Sequence, residues 1–120
     1  VNEADCKRKL VAEINRLRGG RARRVEDRWA IGVLDLILKL PDLPLIMAEG
    51  KLIKGNLFAP TERQFIEGNR WIEAGVGAVL IGWRGETMAV SPWTEQADWR
   101  DCWTGPNRLE TLVEYLTDSL

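Results

Sequence analysis

Histidine is absent from the 120 residues. Without it there can be no Ser-His-Asp or Cys-His nucleophilic site and no His-ligated zinc. Nucleases that use a histidine general base are excluded as well. A hydrolase built on this chain must work with carboxylates, lysine and a hard metal ion such as magnesium or manganese. Cysteine is scarce: Cys6 and Cys102 stand far apart and fit no CxxC or zinc spacing. They read as free thiols in a reducing cytosol, which makes a cytoplasmic setting the expectation. Long apolar runs are also lacking. Ile31 to Leu38 and Leu43 to Ala48 are the longest, and charge or proline breaks both. Neither approaches the ~20 residues of a membrane helix. No basic segment is followed by an apolar one in the manner of a signal peptide. No repeat or low-complexity segment is visible.

Apolar residues make up 45% and charged residues 29%, a globular composition, and the length suits one domain over residues 1–120. The net charge of −1 says little, but its distribution says more. Nine basic residues fall between Lys7 and Arg28, against Glu13, Glu26 and Asp27. From Glu86 to Leu120 seven acids face only Arg100 and Arg108. Such a lopsided field would let a polyanion dock on one side. The alternative is a solvated helix face followed by a charged loop.

Asn2 is placed to cap a first helix, with Cys6, Leu10, Ile14 and Leu17 at helical spacing and Gly19-Gly20 as its stop. Arg21 to Trp29 reads as a charged strand or loop. After Gly32, Val33 to Leu38 is a strong strand, and Pro41 and Pro44 bracket a turn. Leu45 to Glu49 is a second buried strand, followed by a loop over residues 52–60. Thr61 caps a helix that runs to about Ala74, with Phe65, Ile66, Trp71 and Ile72 as its apolar positions and Gly75 as its stop. Gly77 to Trp83 is a third buried strand, turning through Arg84-Gly85 into Thr87 to Val90. Beyond Pro92 the chain reads as aromatic and helical, with Trp93, Trp99 and Trp103, then a final helix from about Asn107. The order implies an α/β fold with a mixed central sheet. The six Trp residues read as core or interface rather than as base-stacking platforms.

Three polar groups intrude on the most buried strands. Asp35 interrupts one apolar run, and Glu49 and Lys51 stand at the end of the next. Two positions apart on a strand, Glu49 and Lys51 share a face. Asp35 comes beside Glu49 if the two strands form a hairpin. Burying such charges costs several kcal/mol each unless they are paired or hold a metal. Two convergent carboxylates can hold magnesium or manganese, with the Gly50 carbonyl between Glu49 and Lys51 as a further ligand. The chemistry this suits is phosphodiester hydrolysis, in which a bound cation activates water and Lys51 orients that water or stabilises developing charge. A salt bridge at a strand end is the competing reading.

The ordered set Gly19-Gly20, Arg24, Gly32-Val33-x-Asp35, Glu49-x-Lys51 and Gln64 resembles the PD-(D/E)xK nuclease superfamily, and within it the VRR-NUC and phage Holliday-junction-resolvase-like groups. The likeness covers roughly residues 3–90. It implies a restriction-endonuclease-like αβββαβ core with flanking helices, followed by C-terminal helices over about 93–120. It also implies a Mg2+- or Mn2+-dependent deoxyribonuclease acting on branched or duplex DNA, and the two-fold symmetry of a junction would suit a homodimer. Asp35, Glu49 and Gly50 would hold the metal, Lys51 would act on water, and Gln64 would assist. An acid early in the first helix completes the pattern. Glu3 and Glu13 both qualify, and the resemblance favours Glu3. Arg21, Arg23, Arg24 and Lys54 would contact the nucleic-acid backbone. Two positions depart from the pattern. Leu34 replaces the proline before the aspartate, and Gly50 stands where an apolar residue is usual. That glycine either loosens the site or leaves room for a metal or phosphate. An inactive nuclease-fold module that binds DNA or protein is the alternative, and a Trp-rich acidic tail that binds a host factor is a third reading.

Overall fold

The structure is a computed structural model and describes residues 2–25 and 33–118. The chain runs α1 (Glu3–Asn15), β1 (Arg21–Arg24), β2 (Leu36–Lys39), β3 (Ile46–Leu52), β4 (Leu57–Phe58), α2 (Glu62–Glu73), β5 (Gly77–Arg84), β6 (Thr87–Pro92), β7 (Ala97–Asp98), a 3-10 turn (Trp99–Asp101), β8 (Trp103–Pro106) and α3 (Leu109–Asp118). Six strands form one sheet in the order β1-β2-β3-β5-β6-β8, and β4 and β7 pair separately. Among the described strands only β3 and β5 run parallel, because α2 lies between them as a crossover; the other neighbours are antiparallel. This is the expected mixed α/β architecture, with helices flanking a central mixed sheet. The αβββαβ order is present, with the short β4 inserted before α2.

Local chemistry sets the helix starts. The Asn2 side chain accepts a hydrogen bond from the Asp5 N–H at 2.8 Å. Thr61 and Gln64 form a reciprocal capping box: the Gln64 N–H donates to the Thr61 hydroxyl at 3.2 Å, and the Thr61 N–H donates to Gln64 Oε1 at 2.9 Å. The main core lies between the sheet and α1 and α3. It contains Cys6, Leu10 and Ile14 from α1, Leu36, Leu38, Ala48, Ile81 and Trp83 from the sheet, and Leu112 from α3.

The details depart from the sequence reading in four places. Asp35 is not inside a strand: it occupies the bend immediately before β2. Leu17 lies beyond α1 and is exposed. Ile66 and Ile72 are 52% and 46% exposed, so they are not the buried positions of α2. Gly68 is buried instead, because the Trp93 indole lies within 2.2 Å of where a Cβ would stand. Residues 93–106 are not helical: they supply β7, the 3-10 turn and β8, and the one helix after them is α3. Backbone pairing overrides the helical look of that segment, since β7 pairs with β4 and β8 extends the sheet beside β6. Gly32, Arg28 and the end of the Arg21–Trp29 segment lie outside the described residues.

Candidate active site

Strand register creates the site. Leu36 on β2 faces Ala48 on β3, so the chain just before β2 meets the residue just after Ala48. The Asp35 N–H donates to Glu49 Oε1 at 3.1 Å, and the Gly50 N–H donates to Asp35 Oδ1 at 3.3 Å. The Glu49 carboxylate is thus held by the backbone of Asp35, and the Asp35 carboxylate by the backbone of Gly50, which fixes them side by side where β2 begins. Backbone groups alternate sides along a strand, so Ala48, Gly50 and Leu52 turn theirs toward the same edge of β3. Beyond the start of β2 that edge has no strand partner among the described residues. The Asp35 and Glu3 carboxylates take its N–H groups instead, the Leu52 N–H donating to Glu3 Oε1 at 3.2 Å.

Two lysines balance the acids. Lys51 Nζ lies 3.3 Å from Glu49 Oε2. Lys7, on α1, bridges Asp35 Oδ2 and Glu3 Oε2, the latter at 3.0 Å. Glu49 is 1% exposed and Lys7 is 7% exposed. Burial and then the neighbouring Asp35 charge push Glu49 up to about 7, against an ordinary 4.5. Burial also raises Asp35, although Lys7 works against it. Burial would lower Lys7, but its hydrogen bonds and charge contacts with Asp35 and Glu3 leave it raised. Burial would raise Glu3, yet Lys7, the Leu52 N–H and Lys51 together leave it lowered.

Asp35, Glu49, Lys51 and Glu3 thus come together. Glu13 does not join them: its Oε2 accepts the Leu109 N–H at 3.0 Å and caps α3. The oxygen of Gln64 is engaged at the cap of α2. Arg21 and Arg23 are exposed on β1, the edge strand, and Arg24 is half-buried. Lys54 is exposed. It lines a groove of about 1030 Å3 together with Arg8, Lys51, Glu3, Leu57 and Gln96. Lys7 was not anticipated from the sequence, although it lies on the Leu10–Ile14 stripe four residues after Glu3. An ammonium on an apolar stripe beside an i,i+4 acid was the available signal.

Gly50 does not leave open space. A Cβ there would meet Trp83 ring carbons at 2.6 and 2.7 Å and Lys7 Cε at 3.1 Å. The indole and the lysine stem fill that volume, so the glycine does not leave the room for a metal or phosphate that the sequence suggests.

Among the described residues no three His, Cys, Asp or Glu side chains converge on a metal cage. The donor set still fits a hard divalent cation. Such ions are commonly held by one or two carboxylates, with water and substrate oxygens completing the shell. Asp35 and Glu49 are two adjacent carboxylates, and the Asp35 charge disfavours that of Glu49, a repulsion that a cation between them would relieve.

The architecture matches a restriction-endonuclease-like fold, a mixed central sheet flanked by helices. A solved structure with this fold is that of Hjc, a Holliday junction resolvase from the archaeal hyperthermophile Archaeoglobus fulgidus. It is 16% identical, with a TM-score of 0.60 over 80% of this chain and 83% of that one. At that identity the likeness defines the fold. No protein-family model matches the chain, and no curated protein matches it.

Proposed function

We propose that this protein is a divalent-metal-dependent endonuclease that hydrolyses DNA phosphodiester bonds, selecting branched or junction DNA. The observation that carries the reading is the clasp of Asp35 and Glu49 at the start of β2, with Lys51 on the second carboxylate. The resolvase-type fold supports it, as does the basic groove beside the site. Within the superfamily, the motif order supports the VRR-NUC and phage resolvase-like groups.

Asp35, Glu49 and the Gly50 carbonyl would hold Mg2+ or Mn2+. The chemistry such an ion supplies is polarisation of the phosphodiester and a lowered pKa for water. Lys51 orients the attacking water or stabilises charge developing on the phosphoryl oxygens. Arg8 and Lys54 line the groove leading away from Lys51 and can hold the flanking phosphates. Arg21, Arg23 and Arg24 offer a second run of phosphate contacts on β1. A four-way junction has two-fold symmetry, so a homodimer would present two such sites to it. No described helix is long and apolar enough to cross a membrane. The setting we propose is a cytoplasm, that of a bacterial host if the chain is phage-encoded.

The test is cleavage of four-way junction, flap, single-stranded and duplex DNA with magnesium or manganese. Cutting should prefer junctions and disappear in folded Glu49→Ala and Lys51→Ala proteins. Metal-dependent cutting that survives either substitution overturns the assignment. Absence of both cutting and metal binding in the unmodified protein would favour a binding module.

A further inference from the structure

We propose that Lys7 is an internal stand-in for the divalent cation, holding the Asp35 carboxylate in the metal-free protein and withdrawing to Glu3 when a cation binds. This rests on the reading of Asp35 and Glu49 as metal ligands, and it goes beyond that reading by assigning roles to Lys7, Glu3 and Gly50.

The geometry is specific. Of the four side-chain oxygens on Asp35 and Glu49, two accept backbone N–H bonds and two face lysines. Asp35 Oδ2 belongs to Lys7, whose side chain is buried. An ammonium on a carboxylate occupies the space and charge that an incoming cation needs. Two positive groups cannot share that oxygen without strong repulsion, so one must leave. Lys7 has somewhere to go. Its second partner, Glu3 Oε2, is already 3.0 Å away and lies on the same helix one turn earlier. Glu3 is itself held by the Leu52 N–H, so it is a fixed acceptor rather than a swinging one.

Gly50 belongs to the same device. The lysine stem passes 3.1 Å from where its Cβ would stand. A side chain at the middle of the Glu-x-Lys motif would obstruct the path by which Lys7 reaches Asp35. The glycine thus makes room for the Trp83 ring first and for the lysine stem beside it. In this arrangement Lys7 is a positioning residue. It neutralises the Asp35 carboxylate before the cation arrives, and by competing for it sets the affinity with which the cation is taken up.

The experiment is titration of the metal-free full chain with manganese alone, followed by calorimetry, without DNA. Lys7→Met keeps the stem and removes the charge. It should bind manganese about ten-fold more tightly or better, since a competing charge a few Å away is gone. Lys7→Arg, which keeps the charge, should stay near the unmodified affinity. A purely structural role would give the opposite sign, because loss of Lys7 would let the carboxylates separate and weaken binding. Glu3→Gln should weaken manganese binding in the unmodified background and have no effect in the Lys7→Met background, since Glu3 acts through Lys7. A loss that persists in the double variant makes Glu3 a direct ligand and overturns the proposal. So does unchanged or weaker binding in folded Lys7→Met protein. If neither the unmodified protein nor Lys7→Met binds manganese at all, this proposal falls together with the nuclease reading. If the unmodified protein binds and Lys7→Met gains nothing, this proposal alone falls.

Discussion

Glu49 is a carboxylate that the fold prefers to keep protonated. Its ordinary value is 4.5 and its value in the folded protein is about 7. Between those values the folded state binds more protons than the unfolded state, so stability declines as pH rises through the window. The loss is present in full above pH 7 and absent below 4.5, and amounts to a few kcal/mol. The metal-free protein should therefore melt at a lower temperature at about pH 8 than at about pH 5. Glu49→Gln should flatten that slope, and saturating manganese should flatten it too, because a bound cation keeps the carboxylate ionised. A slope that Glu49→Gln leaves intact would place its origin elsewhere. Gly50 makes the second residue-scale prediction. Its missing side chain admits the Trp83 ring, which is buried and whose Nε1–H finds no partner among the described residues. Packing alone holds that indole, so Gly50→Ala has to force it or Lys7 aside. The expected cost is about 1–3 kcal/mol, read as a lower midpoint in urea with an unchanged slope.

The capping box of α2 lets two roles of Gln64 be separated at the scale of one element. Thr61→Ala removes the hydroxyl that accepts the Gln64 N–H and should cost about 1 kcal/mol of stability. If Gln64 acts only as a cap, Thr61→Ala and Gln64→Ala should lower stability alike and leave kcat on junction DNA unchanged. If Gln64 also assists Lys51, Gln64→Ala should lower kcat further than Thr61→Ala does. Comparing kcat with the melting temperature decides it. The caps at Asn2 and Thr61 were legible in the sequence because capping is a local interaction. So were β3 and β5, as apolar runs buried on both faces, and the approach of Asp35 to Glu49, which follows once β2 and β3 pair as a hairpin. Lys7 was not legible. Its role depends on where α1 crosses the end of β3, which no local pattern records. The region from Trp93 to Pro106 was misread as helical for a related reason: β7 and β8 are strands because of the partners they meet. Ile66 and Ile72 look like core positions by composition, yet Trp93 takes the inner face of α2 at Gly68 and leaves them in solvent.

The whole molecule measures 34 × 31 × 28 Å, about the length of one turn of duplex DNA. On the proposed reading, one copy would cover one arm of a junction near its branch point, and a second copy the opposite arm. Within the copy, charge is arranged unevenly across the sheet. The β1 edge carries the exposed guanidinium groups of Arg21 and Arg23, and the Val25 N–H bonds the Asp35 carbonyl at 2.9 Å, so that edge leads into the acid cluster. The opposite edge, β8, is followed by α3 and its acids Glu110, Glu114 and Asp118. DNA should approach over the β1 edge and the groove of Arg8 and Lys54. Each phosphate neutralised by a cation releases counterions, so log affinity falls with log salt by about 0.9 per contact. Arg21→Ala with Arg23→Ala should therefore shallow the salt dependence of junction binding by about two contacts' worth, roughly 1.8 in slope, without changing manganese affinity. Binding should be measured with calcium or with Glu49→Gln protein so that cutting does not intervene. An unchanged slope would remove β1 from the DNA-facing surface and leave the groove beside Lys51 as the path of the backbone.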